Sequence, residues 1–407
     1  MRVLFICHRF PFPPKRGGKI RPFNVIRHLA RMHEVVVCSL ARSHEEAEAG
    51  AGIAPYCAEY HVAQVDDRIQ TLRMVATLPT PLTASGQFFH SPKLARTIRR
   101  LLAEQHFDLI FVHCSSVAHY VKNVADVPKI LDFGDMDSQK WLDYRHHKPW
   151  PLSWGYWWEG CRMEAEEKRL ARSFDFCTAT TRAEWETLTG TGVETPSDWF
   201  PNGVDASAFA PTAEPYDPDT ICFIGRMDYY PNQQAMSEFC SQVLPLLRER
   251  RPGLKLMIVG ANPPTLIRRL GELPGVTVTG SVPEVQPYVV RAALTVAPLR
   301  IARGTQNKML ESMAMGVPVV SSRVAAGGVD AVPGDHLLVA STPLEYRDAI
   351  LRIMDNPAER ARLAEAGRAR VLSHHGWPAA MQRLDRIVER CMDAFASNNH
   401  VERQIAS

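Results

Sequence analysis

The chain has 407 residues, enough for two domains, and its composition of 45% hydrophobic and 22% charged residues is that of a globular protein with substantial cores. A formal net charge of +3 is too small to suggest a nucleic-acid partner, and none is expected. Nine cysteines show no CxxC pair or Cys/His metal spacing, which points to a reducing, cytoplasmic setting. The opening apolar run is too short for a signal peptide and no later run is long enough to span a bilayer, so any membrane contact is expected to be peripheral.

Residues 3–7 read as a buried first strand. The loop over residues 9–18 that follows is stiffened by prolines, and Gly17 and Gly18 let it approach a ligand closely, with Lys15, Arg16 and Lys19 adding charge. A helix over 19–31 and a strand over 33–40 complete a βαβ opening, for which a right-handed parallel unit is expected. No G-x-G-x-x-G follows the strand and no Walker A pattern occurs, which argues against nicotinamide chemistry. Strands at 60–65, 108–113, 129–133 and 176–179, with a helix at 92–104, finish a first Rossmann-like domain. At 199–203, Trp-Phe-Pro-Asn-Gly is turn chemistry, and 211–218 reads as a linker.

A second alternation follows: strand 221–224, helix 233–250, strand 255–259, helix 265–270 and strand 276–279. Residues 298–323 then read as a strand end, a basic glycine loop, a short helix, a stop at Gly316 and another buried strand. Three helices, over 343–354, 357–372 and 378–395, close the chain. Two such blocks imply an α/β protein of two facing Rossmann-like domains, 1–210 and 211–375. Ligands of such sheets sit at the carboxyl ends of the strands, where the Gly17, His113, Asp135, Arg226 and Gly304 loops fall.

The Gly304 loop is the most suggestive stretch. Free backbone N–H groups open the helix behind it, Arg300, Arg303 and Lys308 ring it, and no carboxylate occurs from 285 to 310, so an anion is the expected ligand. Glu311 lies one turn beyond Lys308, on nearly the same face. A cation for a diphosphate and a carboxylate for a sugar diol suit a sugar nucleotide; a solvated Lys/Glu pair on an ordinary helix is the plainer alternative. Elsewhere, Asp132-Phe-Gly-Asp135-Met-Asp137-Ser138 forms an acidic strand-end loop in which Asp137 or Ser138 is expected to cap the next helix. Five of the eight tryptophans fall at Trp141, Trp150, Trp154, Trp157 and Trp158, beside Lys140, Arg145, His146, His147 and Lys148. Such rings beside cations suit a membrane interface or a lipid-linked acceptor, and equally a helix pair packing its aromatic residues into the first domain.

Residues 298–323, the 200–209 motif Phe-Pro-Asn-Gly-Val-Asp-Ala-Ser-Ala-Phe and the Gly17-Gly18 loop together resemble the retaining GT-B glycosyltransferases of the family 4 type. Within that family the chain looks most like the sugar transferases associated with bacterial exosortase (PEP-CTERM) and exopolysaccharide systems. The resemblance implies a hexosyltransferase-type activity (EC 2.4) moving a sugar from a nucleotide diphosphate to a hydroxyl of a glycan or lipid-linked acceptor, without cofactor or metal, in the cytoplasm or peripherally at the inner membrane. It also implies that a terminal helix over 376–398, begun by Trp377, crosses back to the first domain.

By the same resemblance, Arg226 neutralises the donor diphosphate, and Lys308 stands in for the family lysine whose place is near Asn232. Arg303, Gly304 and Thr305 complete the donor site, and Glu311 takes the ribose. Gly17 and Gly18, with Arg21 beside them, form a donor or acceptor phosphate loop, and His113 lies beside the reacting sugar; Asp135 is read from the acidic strand-end loop itself, as the residue for acceptor activation. One position departs from the pattern: the family carries two glutamates eight residues apart, and Arg303 occupies the first. An arginine cannot accept hydrogen bonds from sugar hydroxyls. Two alternatives follow, a nucleotide-sugar epimerase on the same scaffold and a non-catalytic sugar-nucleotide-binding subunit.

Overall fold

The structure, a computed structural model, describes residues 1–14, 17–77 and 80–405. Lys15 and Arg16 therefore lie outside the described residues. The chain divides into two compact units, residues 1–201 with 381–407, and residues 202–380. The division falls at Pro201/Asn202, ahead of the position after residue 210 suggested by the sequence. The last helix, Trp377–Ile405, begins in the second unit, and its residues from Met381 onward belong to the first.

The first unit is built on a seven-stranded, all-parallel sheet. Its strands are β1 (Arg2–Cys7), β2 (Glu34–Ala41), β3 (Glu59–Gln64), β4 (Leu109–His113), β5 (Lys129–Gly134), β6 (Phe176–Ala179) and β7 (Ser197–Trp199), in the order β3-β2-β1-β4-β5-β6-β7. The central strands are unbroken apolar runs because helices cover both faces: residues 3–7 and 109–112 are fully buried. The Gly17–Leu29 helix starts two residues earlier than the sequence suggests, so Gly17 and Gly18 form its first turn and are exposed there.

The second unit carries a six-stranded parallel sheet of β8 (Asp217–Ile224), β9 (Lys255–Val259), β10 (Val276–Gly280), β11 (Ala292–Ala297), β12 (Val319–Ser322) and β13 (Leu338–Ala340), ordered β10-β9-β8-β11-β12-β13. Ile221, Phe223, Leu256, Ile258 and Leu294 anchor one core, against Met309, Leu310 and Met313 of the Asn307–Ala314 helix. The helix expected over 233–250 is three segments, Tyr230–Glu238, a π-helical turn at Phe239–Val243, and Leu244–Arg248, because Pro245 cannot donate the backbone bond that would continue the α pattern.

In each sheet the strand order reverses once, between β1 and β4 in the first unit and between β8 and β11 in the second. Helices diverge to opposite faces at such a reversal and leave a crevice at the carboxyl ends, the usual ligand position in open α/β sheets. Both candidate clusters lie there.

Candidate active site

In the second unit, β8 ends at Ile224 and runs into Gly225 and Arg226, beside the loop that leaves β11. A Cβ on Gly225 would lie 2.8 Å from the Asn232 amide nitrogen and 3.1 Å from Lys308 Nζ, and one on Gly260 would collide with the Gly225 carbonyl at 1.7 Å. Only glycine allows the two strand ends and the lysine to converge so closely. Asn232 is buried and bridges them. Its Nδ2 donates to the Arg226 carbonyl at 2.7 Å, and its Oδ1 accepts from Lys308 Nζ at 2.7 Å. The ammonium also stands 4.4 Å from the centre of the Phe223 ring. Thus Arg226 and Lys308, 82 positions apart, belong to one cluster, and Asn232 holds Lys308 in place.

Gly304 turns the chain at φ +60° ahead of the Asn307–Ala314 helix, and its carbonyl lies where a Cβ on Gly328 would come within 2.2 Å. Thr305 Oγ1 and Asn307 Oδ1 are buried without hydrogen-bond partners. Two orphaned polar atoms at a glycine-led helix start fit a polar ligand that supplies the missing bonds. Arg303 is half-buried, and its carbonyl accepts from the Gln306 amide at 3.1 Å. Arg300, read as part of the ring of positive charge, instead pairs with Glu238 at 2.6 Å.

Electrostatics sharpen the cluster. Burial pulls Lys308 down to about 7, with Glu311 acting in the opposite sense, and burial pushes Glu311 up to about 7 against the pull of Lys308. Both side chains keep some solvent contact. A cation held at the edge of deprotonation gains most when an anion arrives. Arg226 is half-exposed, and its fork is taken up by the Asp228 carboxylate, Nε at 2.9 Å and Nη2 closer still, which raises its pKa. Exposed ion pairs of this kind are worth little, so a diphosphate can displace Asp228.

In the first unit, His113 ends β4 and stands opposite Cys7 of β1 and Asp132 of β5. Its Nδ1 lies 2.7 Å from Asp132 Oδ2. Asp132, fully buried, also accepts from Arg21 Nε at 2.8 Å and Nη2 at 2.9 Å, and from Thr178 Oγ1 at 2.9 Å. Burial disfavours its charge, yet Arg21 and His113 outweigh that and hold the carboxyl well below the usual carboxylate range. An ionised Asp132 can only accept, so Nδ1 of His113 donates to it and Nε2 is the ring nitrogen left for a ligand. The neighbouring His8 ring, 5.8 Å away, is kept neutral by burial and by His113.

Arg21 departs from the phosphate-loop role. It is buried, fully engaged with Asp132, bonded to the Phe200 carbonyl at 2.9 Å, and stacked 3.5 Å over the Phe200 ring. It ties the turn motif to the sheet and positions the Asp132–His113 pair, since an always-charged guanidinium cannot leave this site without stranding a carboxylate. Asp135 accepts from Thr180 Oγ1 at 2.8 Å and is half-buried. Neither Asp137 nor Ser138 caps the Asp137–Arg145 helix through its side chain. Glu184 accepts from Met136 N at 2.7 Å and Glu167 from Ser138 N at 3.0 Å, so two carboxylates from other helices serve its start. Burial raises Glu167 to about 8, which keeps it protonated near neutrality.

A cavity of about 280 Å³ opens beyond β4, lined among others by His90, Ser116, His119, Lys122, Glu167 and Arg169. Its wall is mostly apolar, with the His90–His119 pair at 3.3 Å among its few polar groups. Among the described residues no group of three or more His, Cys, Asp or Glu side chains is arranged to hold a metal ion.

The sequence reading missed three residues, Asp132 as the centre of its network, Asn232 as the bridge, and Glu167. A signal existed for the first. A lone carboxylate inside the apolar strand Lys-Ile-Leu-Asp-Phe requires a buried cation.

Two parallel α/β sheets, each with a polar cluster at its order reversal, define the class as a two-Rossmann-domain, GT-B-type protein. Family models match both halves: "Glycosyltransferase Family 4" over residues 16–208 and "Glycosyl transferases group 1" over residues 218–356. The chain belongs to this group 1/family 4 superfamily of GT-B glycosyltransferases. Among solved structures it is similar in fold to sucrose-phosphate synthase from Thermosynechococcus elongatus, with TM-score 0.71, 16% identity, and 97% of this chain and 100% of that chain covered. HepE of Anabaena in complex with UDP gives TM-score 0.69 at 13% identity, over 96% and 100% of the two chains. The lipopolysaccharide outer core galactosyltransferase WaaB gives 0.59 at 14% identity, over 95% and 99%. No curated sequence matches the chain.

Proposed function

We propose that the protein transfers a hexosyl group from a uridine-diphosphate sugar to a hydroxyl of a glycan or lipid-linked acceptor, with retention at the anomeric carbon. The setting we assign is bacterial exopolysaccharide or envelope glycan assembly on the cytoplasmic side, a reading that rests on the sequence resemblance to exosortase-associated sugar transferases alone. The observation that carries the reading is the Asn232 bridge joining Lys308 to the Arg226 loop at the β8/β11 reversal, with Thr305 and Asn307 offering unmatched polar atoms beside it. The uridine base and the sugar take support from HepE, whose structures are described with UDP and with UDP-glucose.

On this reading Lys308 and Arg226 neutralise charge that builds on the departing diphosphate, where stabilisation lowers the barrier most. Glu311 accepts from the ribose diol. In the first unit, His113 Nε2 accepts a hydrogen bond from a sugar hydroxyl, its ring fixed by Asp132. Asp135 is assigned to the acceptor hydroxyl, and Gly17 and Gly18, in an exposed helix first turn, to a phosphate of donor or acceptor. Arg303, at the position where the resemblance implies a sugar-binding glutamate, is assigned to a phosphate or to an anionic acceptor.

The test is a thermal-shift panel of nucleoside diphosphates and their sugars on wild type, Arg226→Ala and Glu311→Ala, followed by release of nucleoside diphosphate with and without membrane extract. Saturation at about a hundred times Kd should stabilise the wild type by about 2.7 kcal/mol. Release that depends on added acceptor supports transfer. Conversion of donor alone into a second nucleotide sugar would mark an epimerase, and binding without any turnover a sensor subunit.

A further inference from the structure

We infer that the Trp150–Trp158 face of the first unit, together with the adjoining helix Asp67–Ala76, is a docking surface for an anionic lipid bilayer. The inference stands independently of the transfer reading.

Large apolar side chains are left in solvent here. Trp150 is 83% exposed, Trp154 58% and Leu152 57%, and the Trp154 and Trp158 rings stack at 5.9 Å as one slab. Trp154 and Trp158 are one helical turn apart on Leu152–Ala171, and Trp150 and Leu152 precede them at the same end. Ile69, Leu72 and Val75, spaced three apart on Asp67–Ala76, form a second exposed stripe. The two elements meet: Arg162, whose guanidinium lies 5.9 Å from the Trp158 ring, donates to the carbonyls of Thr77 at 3.2 Å and Thr80 at 2.6 Å just past the end of that helix. Leu82, also exposed, lies on the same connection and on the wall of the cavity described above. Within 141–172 the expected packing of aromatic residues between helices is seen at Trp141, 5.1 Å from the Tyr156 ring, yet Trp150 and Trp154 are left uncovered.

Charge selects the occupant. From Tyr144 to Trp158 there is no carboxylate, while Arg145, His146, His147 and Lys148 sit beside the rings, Arg145 and His146 being exposed. The first acid beyond, Glu159, is buried and neutralised by Arg162. Amphipathic indoles next to cations, with aliphatic side chains alongside, match the region where acyl chains meet anionic headgroups; a protein partner would leave the basic rim without a stated counterpart. Among the described residues no helix is long and apolar enough to cross a membrane, so the contact is interfacial.

The test is flotation of the full chain with phosphatidylcholine vesicles, with and without phosphatidylglycerol, read together with tryptophan emission. Co-flotation with the anionic vesicles, weakened by salt, and a blue shift are expected. The double variant Trp150→Ala/Trp154→Ala should lower the bound fraction by about tenfold or more with its melting temperature and its nucleotide-sugar thermal shift unchanged. Arg145→Glu, which keeps every ring, should lower only the part that depends on phosphatidylglycerol. No flotation on either vesicle, or equal flotation of wild type and double variant, overturns the inference. Self-association without lipid binding, abolished by the double variant, overturns it as well and gives the surface to a second copy of the chain.

Discussion

The Lys308–Glu311 pair makes donor binding depend on pH in a direction that can be worked out. Burial brings both groups to about 7 in the unliganded protein. A bound diphosphate favours the protonated lysine, so binding takes up a proton above about pH 7 and affinity falls by up to tenfold, or about 1.4 kcal/mol, for each pH unit. With the partial exposure of both side chains, a loss of roughly tenfold between about pH 6.5 and about pH 8.5 is expected. A charged Glu311 would grip the ribose diol better at high pH, but the gain of about 1 kcal/mol from a charged over a neutral acceptor is smaller than the loss of a lysine–phosphate contact. Isothermal titration with a nucleotide sugar is the assay, because its esterified diphosphate has no ionisation of its own in this range, and buffers of different ionisation enthalpy report the proton directly. Lys308→Met should weaken binding by about 2–4 kcal/mol and flatten the profile, whereas Glu311→Gln should keep the slope. A flat wild-type profile, or an unchanged slope in Lys308→Met, would refute the reasoning.

Lys308→Met should lower stability by about 1–3 kcal/mol in urea, since it leaves the buried Asn232 Oδ1 without its donor. Asp132→Asn should destabilise the first unit by about 3–5 kcal/mol in urea, because Arg21 would be left buried without its carboxylate. Asp132 has a depressed folded pKa, so its contribution is present above the unfolded value of about 3.9 and is lost as pH falls below it, a loss acid titration of the melt should show. Glu167 has the opposite sign: its folded pKa is raised from 4.5 to about 8, so stability should decline between those values as pH rises, and Glu167→Gln should remove that slope. Gly225→Ala should cost about 1–3 kcal/mol of nucleotide-sugar binding by titration, since its Cβ would press on Asn232 and Lys308.

The helices Pro92–Glu104, Thr265–Leu270 and Pro343–Met354 and the strand Phe176–Ala179 lie where the sequence placed them, because apolar period and capping residues are local quantities. The two-block α/β architecture follows from the same alternation. The three-residue strands β7 and β13 escaped notice, since so short a run carries no period and is defined only by its neighbour in the sheet. In the site, glycine and charge marked Arg226, Gly304, Lys308 and Glu311, and the strand-end position marked His113. Tertiary structure alone decided that Asn232 and Lys308, 76 positions apart, share a hydrogen bond, and that Arg21 and Asp132, 111 apart, form a buried pair. The sequence determined the elements through contacts among near neighbours; which polar group is satisfied, and which is left open for a ligand, is settled by burial, and burial depends on segments that meet only when the sheets assemble.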